Sequence, residues 1–170
     1  MANISDVRSV GNPQRAYEFE VEIQATTAAG LLPILTQRVE TVSIPETSVE
    51  TIEINYKGRK TLHAGRDAAG HTVTVSFWDS EKREVYEFFK RWMEVGVSNS
   101  VVGGGLTRDL YATNMVIRTF GADSTSVTGV NTLTNVFPTA IADINLDYSA
   151  SEHLKVEVTF SYDSNLFSKG

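Results

Sequence analysis

Cysteine is absent from this 170-residue chain. That excludes a disulfide framework and any thiolate metal site, and it fits assembly in a reducing cytoplasm. Histidine is scarce: His63, His71 and His153 are the three present. None has a second histidine at i+2 or i+4, the spacing one strand or one helix would need to hold a metal. They read as surface or loop residues, and neither metal nor cofactor is expected. Long apolar runs are missing too. The greasiest stretch, Ala28 to Leu35, is broken by Gly30 and Pro33 and falls far short of the roughly 20 residues a bilayer-crossing helix needs, so no membrane-spanning segment is expected. The polar stretch Met1 to Gly11 lacks the apolar segment of a secretory signal, and residues 1–14 are expected to form a flexible arm. Positive charge is in deficit, with 15 Lys plus Arg against 21 Asp plus Glu and a net charge of −6. Tight nucleic-acid binding neutralises phosphates with Lys and Arg, so the balance argues against a gripping role. It leaves open the passage of nucleic acid past the protein.

Catalytic signatures are also lacking. No Gly-x-Ser-x-Gly elbow occurs, and no glycine-rich stretch ends in Gly-Lys-Ser/Thr. Gly103-Gly104-Gly105 precedes a strand pattern rather than a helix, so it presents no helix N-terminus to a phosphate; it reads as a flexible loop. Glu18, Glu20 and Glu22 share one face as glycosidase acids might, but alternation alone produces such a stripe, and a solvated face is the simpler reading. No catalytic residue is assigned, and the chain is expected not to be an enzyme.

What dominates instead is a period of two. Tyr17, Phe19, Val21 and Ile23 alternate with Glu18, Glu20 and Glu22, the pattern of a strand with one wet face. Val73, Val75 and Phe77 alternate with Thr72, Thr74 and Ser76. Ile144, Leu146 and Tyr148 face away from Asp143, Asn145 and Asp147, and Leu154 to Tyr162 alternate with Lys155 to Asp163. Weaker strand signals cover Gln37–Ile44, Val49–Tyr56, Leu110–Phe120 and Ser126–Phe137. Antiparallel sheets with one solvated face give this pattern. One segment, about residues 81–95, has helical spacing instead: Val85, Phe88, Phe89, Trp92 and Val95 share a face opposite Glu84, Glu87, Lys90, Arg91 and Glu94. Asp79 or Ser80 is the expected N-cap and Gly96 the stop.

The fold class is therefore mainly β: an antiparallel sandwich or incomplete barrel of about seven to eight strands, with one helix lying across it through Val85, Phe88, Phe89 and Trp92. With no linker between halves of contrasting composition, residues 1–170 are expected to form a single domain. Two long connections are expected, Lys57 to Gly70 and Val97 to Asp109. The first holds the strongest local charge anomaly: Lys57, Arg59, Lys60, His63 and Arg66 in an acidic chain. The cluster could touch nucleic acid, sit in water, or plug into an acidic face of a neighbouring copy. Without interleaved aromatics beyond Tyr56 it makes no stacking platform.

Several stretches carry a resemblance when taken together. Ser43-Ile44-Pro45-Glu46 leads through Ile52 and Ile54 to Gly58-Arg59-Lys60, His63-Ala64-Gly65-Arg66 and His71-Thr72-Val73-Thr74-Val75. A helix with Phe89 and Trp92 follows, then Val136-Phe137-Pro138-Thr139, Ile144-x-Leu146-Asp147-Tyr148 and Val156-x-Val158-Thr159-Phe160. In this order, over about residues 15–165, they resemble the tail tube proteins of contractile-tailed bacteriophages, related to the inner tubes of type VI secretion, pyocins and extracellular injection systems. The Thr26–Thr36 and Val97–Leu106 segments depart from that pattern and leave the subfamily open.

The resemblance implies a structural virion protein. Its copies would form hexameric rings whose sheets join into one barrel, and the rings would stack into the hollow inner tube of a contractile phage tail. DNA and a tape-measure protein would occupy the lumen, without tight DNA binding. The sheath would surround the tube, with a baseplate and a tail terminator at its ends, and assembly would take place in the bacterial host cytoplasm. It further implies that Lys57, Gly58, Arg59, Lys60, His63, Arg66 and Asp67 form an inter-ring contact loop. Lumen-facing residues would come from Glu18, Glu20 and Glu22 or from Thr72, Thr74 and Ser76, since an acidic wall repels phosphates. The alternative within this class is the inner tube of a bacterial injection system carrying protein cargo. From other classes, a small-molecule-binding β-barrel would need an apolar cavity where each strand offers one polar face and one ordinary core face, and a hydrolase would need dispersed catalytic residues.

Overall fold

The structure, a computed structural model, describes residues 14–24, 34–97, 105–147, 149 and 152–170; most of the expected N-terminal arm, residues 26–33 of the Thr26–Thr36 segment, the glycine run before Gly105, and Tyr148 lie outside them. Its order of elements is β1 (Phe19–Ile23), α1 (Leu35–Arg38), β2 (Val39–Val42), β3 (Val49–Tyr56), β4 (Arg59–Asp67), β5 (Thr72–Trp78), α2 (Glu84–Arg91) continued by a π-helical turn (Trp92–Val97), α3 (Arg108–Tyr111), β6 (Thr113–Phe120), β7 (Val127–Ile141), β8 (Lys155–Ser161) and β9 (Ser164–Lys169).

Seven strands form one antiparallel sheet, ordered β1-β6-β7-β8-β5-β2 with β9 also on β7. The 15-residue β7 is its fold line. Its first half pairs with β6 and β9, and from Phe137 onward it pairs with β8. The change of partner follows Asn135, which sits at φ 54°, a left-handed conformation that Asn tolerates better than most residues. Its side-chain amide donates to Asp163 at 2.8 Å, and Arg108 pairs with the same carboxylate. Just beyond, Pro138 enters the ladder where β7 is an edge strand, so its missing N–H costs no bond. The sheet thus doubles over into two leaves, β1-β6-β7-β9 and β7-β8-β5-β2. The doubled sheet is closed along β7 and open between β1 and β2, the ends of the strand path. This is the incomplete antiparallel barrel that the alternation calls for.

The core lies between the leaves. Val21, Ile23, Met115, Ile117 and Leu133 come from the first leaf, and Val73, Val75, Phe77, Val156, Val158 and Phe160 from the second. The helix completes it. Val85, Phe89 and Trp92 are buried, Phe88 is half-buried, and the Phe89 ring meets Phe77 and Phe160 at centroid distances of 5.1 and 5.6 Å. The Trp92 indole N–H donates to the Tyr111 carbonyl at 2.8 Å, tying the helix to α3.

Several boundaries differ from the sequence expectation. The helix begins at Glu84 because Arg83 is left-handed at φ 54°; Asp79 nevertheless serves its start from a distance, accepting from the Val85 and Tyr86 N–H groups at 3.1 Å. The helix runs through Gly96, and its wider last turn brings Gly96 to the buried side while Val95 is left 42% exposed. Residues 142–147 are not a strand: after the Ala142 N–H bond to Glu157 they have no ladder partner, and Leu146 is exposed. The final alternating run ends at Ser161, and β9 follows after a break at Asp163.

Candidate assembly surface

The largest difference concerns residues 57–70. They are not a long loop: Arg59–Asp67 is β4, which pairs with β3 as a separate two-stranded sheet. The turn explains it. Lys57 and Gly58 both have positive φ, 45° and 75°, the conformation of the tight two-residue hairpin turn whose twist matches its strands. Near the base, Gly65 sits where the register shifts; a Cβ there would come within 3.0 Å of the Glu50 carbonyl oxygen. The connection is a hairpin with a bulge, stiffer than the loop that glycine and charge suggested.

This hairpin contributes no buried residue. Direct cross-strand partners share a face, so Ile52, Ile54 and Tyr56 lie with His63, Thr61 and Arg59, while Thr51, Glu53 and Asn55 lie with Ala64, Leu62 and Lys60. Val49, Ile52, Ile54, Tyr56 and Leu62 are each more than half exposed. An isolated hairpin is marginal in water, so one with two wet faces and a row of bare apolar side chains is built to be covered. Two of its cations already have partners: Lys60 pairs with Glu53, and Arg66 lies 3.6 Å from Glu50. Asp67 approaches His71 at 3.7 Å, and the Lys57 ammonium lies over the Tyr56 ring.

The two sets of candidate lumen residues lie on opposite sides of the molecule. Glu20 and Glu22 are on the outer face of the first leaf, whose inner face carries Val21 and Ile23. Thr72, Thr74 and Ser76 are on the outer face of the second, behind Val73, Val75 and Phe77. They do not share one surface. Arg118 on β6 reaches both glutamates, at 3.4 Å to Glu20 and 2.7 Å to Glu22, and those contacts, the Glu22 hydrogen bond first, raise its pKa above the usual arginine value. Glu18 lies just before the strand and accepts from the Ser124 hydroxyl at 3.0 Å. Opposite Ser76, Glu157 is exposed, next to Lys155, which bonds Glu40 at 2.8 Å.

Sequence reasoning missed Arg118 as the bridge of the acidic stripe, the exposure of Ile52, Ile54 and Tyr56, and β9 altogether. Only the first had a signal: Arg118 is a lone cation within an otherwise uncharged strand. Among the described residues no group of three or more His, Asp or Glu side chains could hold a metal ion, and no helix is long and apolar enough to cross a membrane.

Comparison with known proteins agrees with this geometry. The chain superposes on a chain of the sheath–tube complex of an extracellular contractile injection system, PVC, in its extended state (TM-score 0.66, 18% identity, 100% of each chain covered). A chain of the tube-terminating cap of the anti-feeding prophage matches equally well (TM-score 0.66, 20% identity, 100% of each chain). A type six secretion system protein matches at a TM-score of 0.52 and 8% identity over 88% of this chain and 81% of that one. At these identities the likeness is one of fold. A search of curated protein sequences returned no significant match. The family model for phage tail tube proteins, however, matches residues 14–168, and the chain belongs to that family of structural tube proteins.

Proposed function

We propose that the chain is the repeating unit of a hollow phage tail tube. Copies close into hexameric rings, and rings stack through the β3–β4 hairpin, which reaches onto the neighbouring ring. The role is mechanical rather than catalytic, in a virion tail assembled in the host cytoplasm and conducting DNA at ejection. The sheath outside, a tape-measure protein within, and the baseplate and terminator at the ends are its partners. The observation that carries this reading is the hairpin: it projects from the fold with no buried residue and with five large apolar side chains bare. A head-to-tail contact whose repetition does not close by rotation generates a filament.

Within the hairpin the apolar row supplies the contact area. Arg59 and Lys57 supply charge selection against the wrong register. Of the two outer faces, that of the first leaf suits the channel wall, because Glu20 and Glu22 face a single Arg118 and leave the surface net negative. Phosphates then pass without adhering.

The test removes the hairpin. The Ala68 N–H donates to the Ser48 carbonyl at 2.9 Å, so a short Gly/Ser turn in place of residues 49–67 closes the gap without strain. The variant should keep its circular dichroism and its melt and still form rings, but fail to elongate by negative-stain microscopy. Tubes of normal length from it would sink the assignment.

A further inference from the structure

The β3–β4 hairpin joins the rest of the molecule through two short segments, residues 43–48 and 68–71. Each is fastened on the body side. The Ser43 N–H donates to the Thr74 carbonyl at 3.2 Å, and the Ser43 hydroxyl accepts from the Thr74 N–H at 3.2 Å. The His71 carbonyl accepts from the Tyr162 N–H at 3.0 Å and from the Ser161 hydroxyl at 3.3 Å. Beyond those anchors, the polar contacts described for residues 49–67 run within the arm and its own base, through Lys60 with Glu53, Arg66 with Glu50, and Asp67 with the Ala69 N–H at 2.9 Å. The exception among the described residues is Asp67 with His71, where 3.7 Å separates Oδ2 from Nε2, too long for a hydrogen bond. The angle of the arm to the body thus leans on one side-chain contact, and its strength changes with the charge of an imidazole.

The surroundings of that imidazole favour a cation. Its ring lies 5.4 Å from the Tyr162 ring, centroid to centroid, on the wall of a pocket of about 190 Å³ that Glu46, Asp67, Asp163 and Asn165 also line. Glu46 comes from the segment entering the arm, Asp67 from the end of β4, and Tyr162 and Asp163 from the turn between β8 and β9. The positive charge beside them is Arg108, already paired with Asp163, while Arg66 is turned to Glu50. The negative balance reaches Tyr162, whose pKa is raised by burial first and then by Asp67 and Glu46. Two buried atoms of the pocket's side chains, His71 Nδ1 and Asn165 Oδ1, have no hydrogen-bond partner among the described residues. A neutral imidazole that offers Nε2–H to Asp67 leaves Nδ1 an acceptor, of no use to the Asn165 carbonyl. The imidazolium donates from both nitrogens, and the pocket has room for a bridging water.

We infer that His71 is a protonation-controlled latch on the β3–β4 hairpin: the imidazolium binds Asp67 and fixes the arm in the attitude that stacks rings, and the neutral imidazole lets it swing. The inference rests on the stacking role given to the hairpin above and names its regulation. The sign follows from which form each state prefers. The latched arm brings Asp67 to the imidazolium, so it binds a proton more tightly than the swung arm does. The latched fraction is therefore full below the histidine range of about pH 5 to 8 and is lost as pH rises through it. Because the stiff hairpin carries its apolar row far from this pivot, a small change of angle at Asp67 becomes a large displacement of Ile54 and Tyr56.

The absence of cysteine lets spin labels be placed at chosen sites. Labels on Asn55→Cys in the arm and Glu157→Cys on the outer face of the second leaf report the arm's angle, with labelled chain diluted into unlabelled chain below the concentration of elongation. From pH 8 to pH 5.5 histidines titrate while ordinary carboxylates stay ionised, and the distance distribution should narrow to one population. His71→Gln and Asp67→Asn should stay broad at both pH values, and His71→Arg should be narrow at both. His63→Gln and His153→Gln, which remove the other two imidazoles, should respond as the parent does. In assembly, the concentration needed for elongation should fall about fivefold or more over the same window relative to His71→Gln, as one partly exposed pair repeated at each subunit contact allows. That comparison removes the general effect of lower net charge on association. A parent distribution indifferent to pH, or narrowing that survives His71→Gln, overturns the latch and leaves the tube reading standing. Narrowing without pH-dependent elongation overturns its role in stacking. A parent that never elongates while its arm still narrows overturns the stacking reading and leaves the latch.

Discussion

Replacing Asp79 with alanine should be among the most damaging single changes to the folded chain. The Asp79 side chain is fully buried. It accepts from the N–H groups of Ser80 at 2.9 Å and of Val85 and Tyr86 at 3.1 Å, so it satisfies two donors of the first turn of α2. It also stands 3.6 Å from Nη1 of Arg38, itself only 5% exposed. The Arg38 guanidinium lies over the Trp78 ring and donates from Nη2 to Glu84 at 2.8 Å, while Nε and Nη1 have no hydrogen-bond acceptor. Without Asp79 that buried cation would depend on Glu84 alone, whose side chain is 40% exposed. A lost cap costs about 1 kcal/mol, and orphaning one member of a buried ion pair costs roughly 3–5 kcal/mol. Both effects come from one carboxylate and overlap, so the expected loss is about 3–5 kcal/mol out of a typical 5–15 kcal/mol. Arg38→Met, which keeps the apolar stem over Trp78, should cost less, because three N–H groups still satisfy Asp79. The double variant should fall short of the sum by about 1 kcal/mol or more. Urea unfolding checks this at a protein concentration low enough to suppress assembly, which would otherwise add its own stabilisation, with equal m-values across the set. A loss below about 1 kcal/mol for Asp79→Ala, or an additive cycle, would refute the reasoning.

Two further predictions concern stability. Trp92→Ala should cost about 3–5 kcal/mol, as large buried aromatics do, read by the same urea series; normal stability with only assembly lost would make the helix an interface instead. Asp163 is held below the usual aspartate range by its hydrogen bond to Arg108 first and to Asn135 second. Its contribution to stability is therefore full above the unfolded value of about 4 and is lost as pH falls from there toward the folded value. Thermal melts from pH 5 to pH 2 should fall less steeply for Asp163→Asn than for the parent, and parallel curves would count against the fold-line contact.

The strands were legible wherever one face is buried. Val73, Val75 and Phe77, like Val156, Val158 and Phe160, show the period of two because the core demands it. Val85, Phe89 and Trp92 marked the helix for the same reason. The errors came where that demand is absent. Ile52, Ile54 and Tyr56 alternate as cleanly as a core strand, yet both faces of their hairpin are wet, because alternation reports that a face will be covered and not by which chain. Gly58 and Gly65 suggested a flexible loop, although one serves a tight turn and the other a bulge. Ile144 and Leu146 alternate by composition alone, without a neighbouring strand edge. β9 was invisible because Leu166 and Phe167 are adjacent and fall on opposite faces, which erases the periodicity.

The same division separates folding from assembly in this chain. The described core draws nothing from β3, β4 or β9, so the two leaves and the helix can reach their packed state before any neighbour arrives. What remains outside is apolar and would invite indiscriminate pairing if it were bare of charge. On the hairpin Arg59 shares the face of Ile52, Ile54 and Tyr56, Glu53 and Lys60 occupy the opposite face, and Glu50 and Arg66 stand near the base, the kind of edge protection that keeps exposed strands soluble. Lys60 and Arg66 are neutralised within the hairpin by Glu53 and Glu50. In the proposed docking of the hairpin, these two cations would need no partner from the next ring. The cations left to choose a partner are Arg59, on the same face as the apolar row, and Lys57 at the turn, over the Tyr56 ring. A surface of this kind gains area only from a partner that buries the row and meets the positive charge beside it. That combination favours a second copy in one register over chance association.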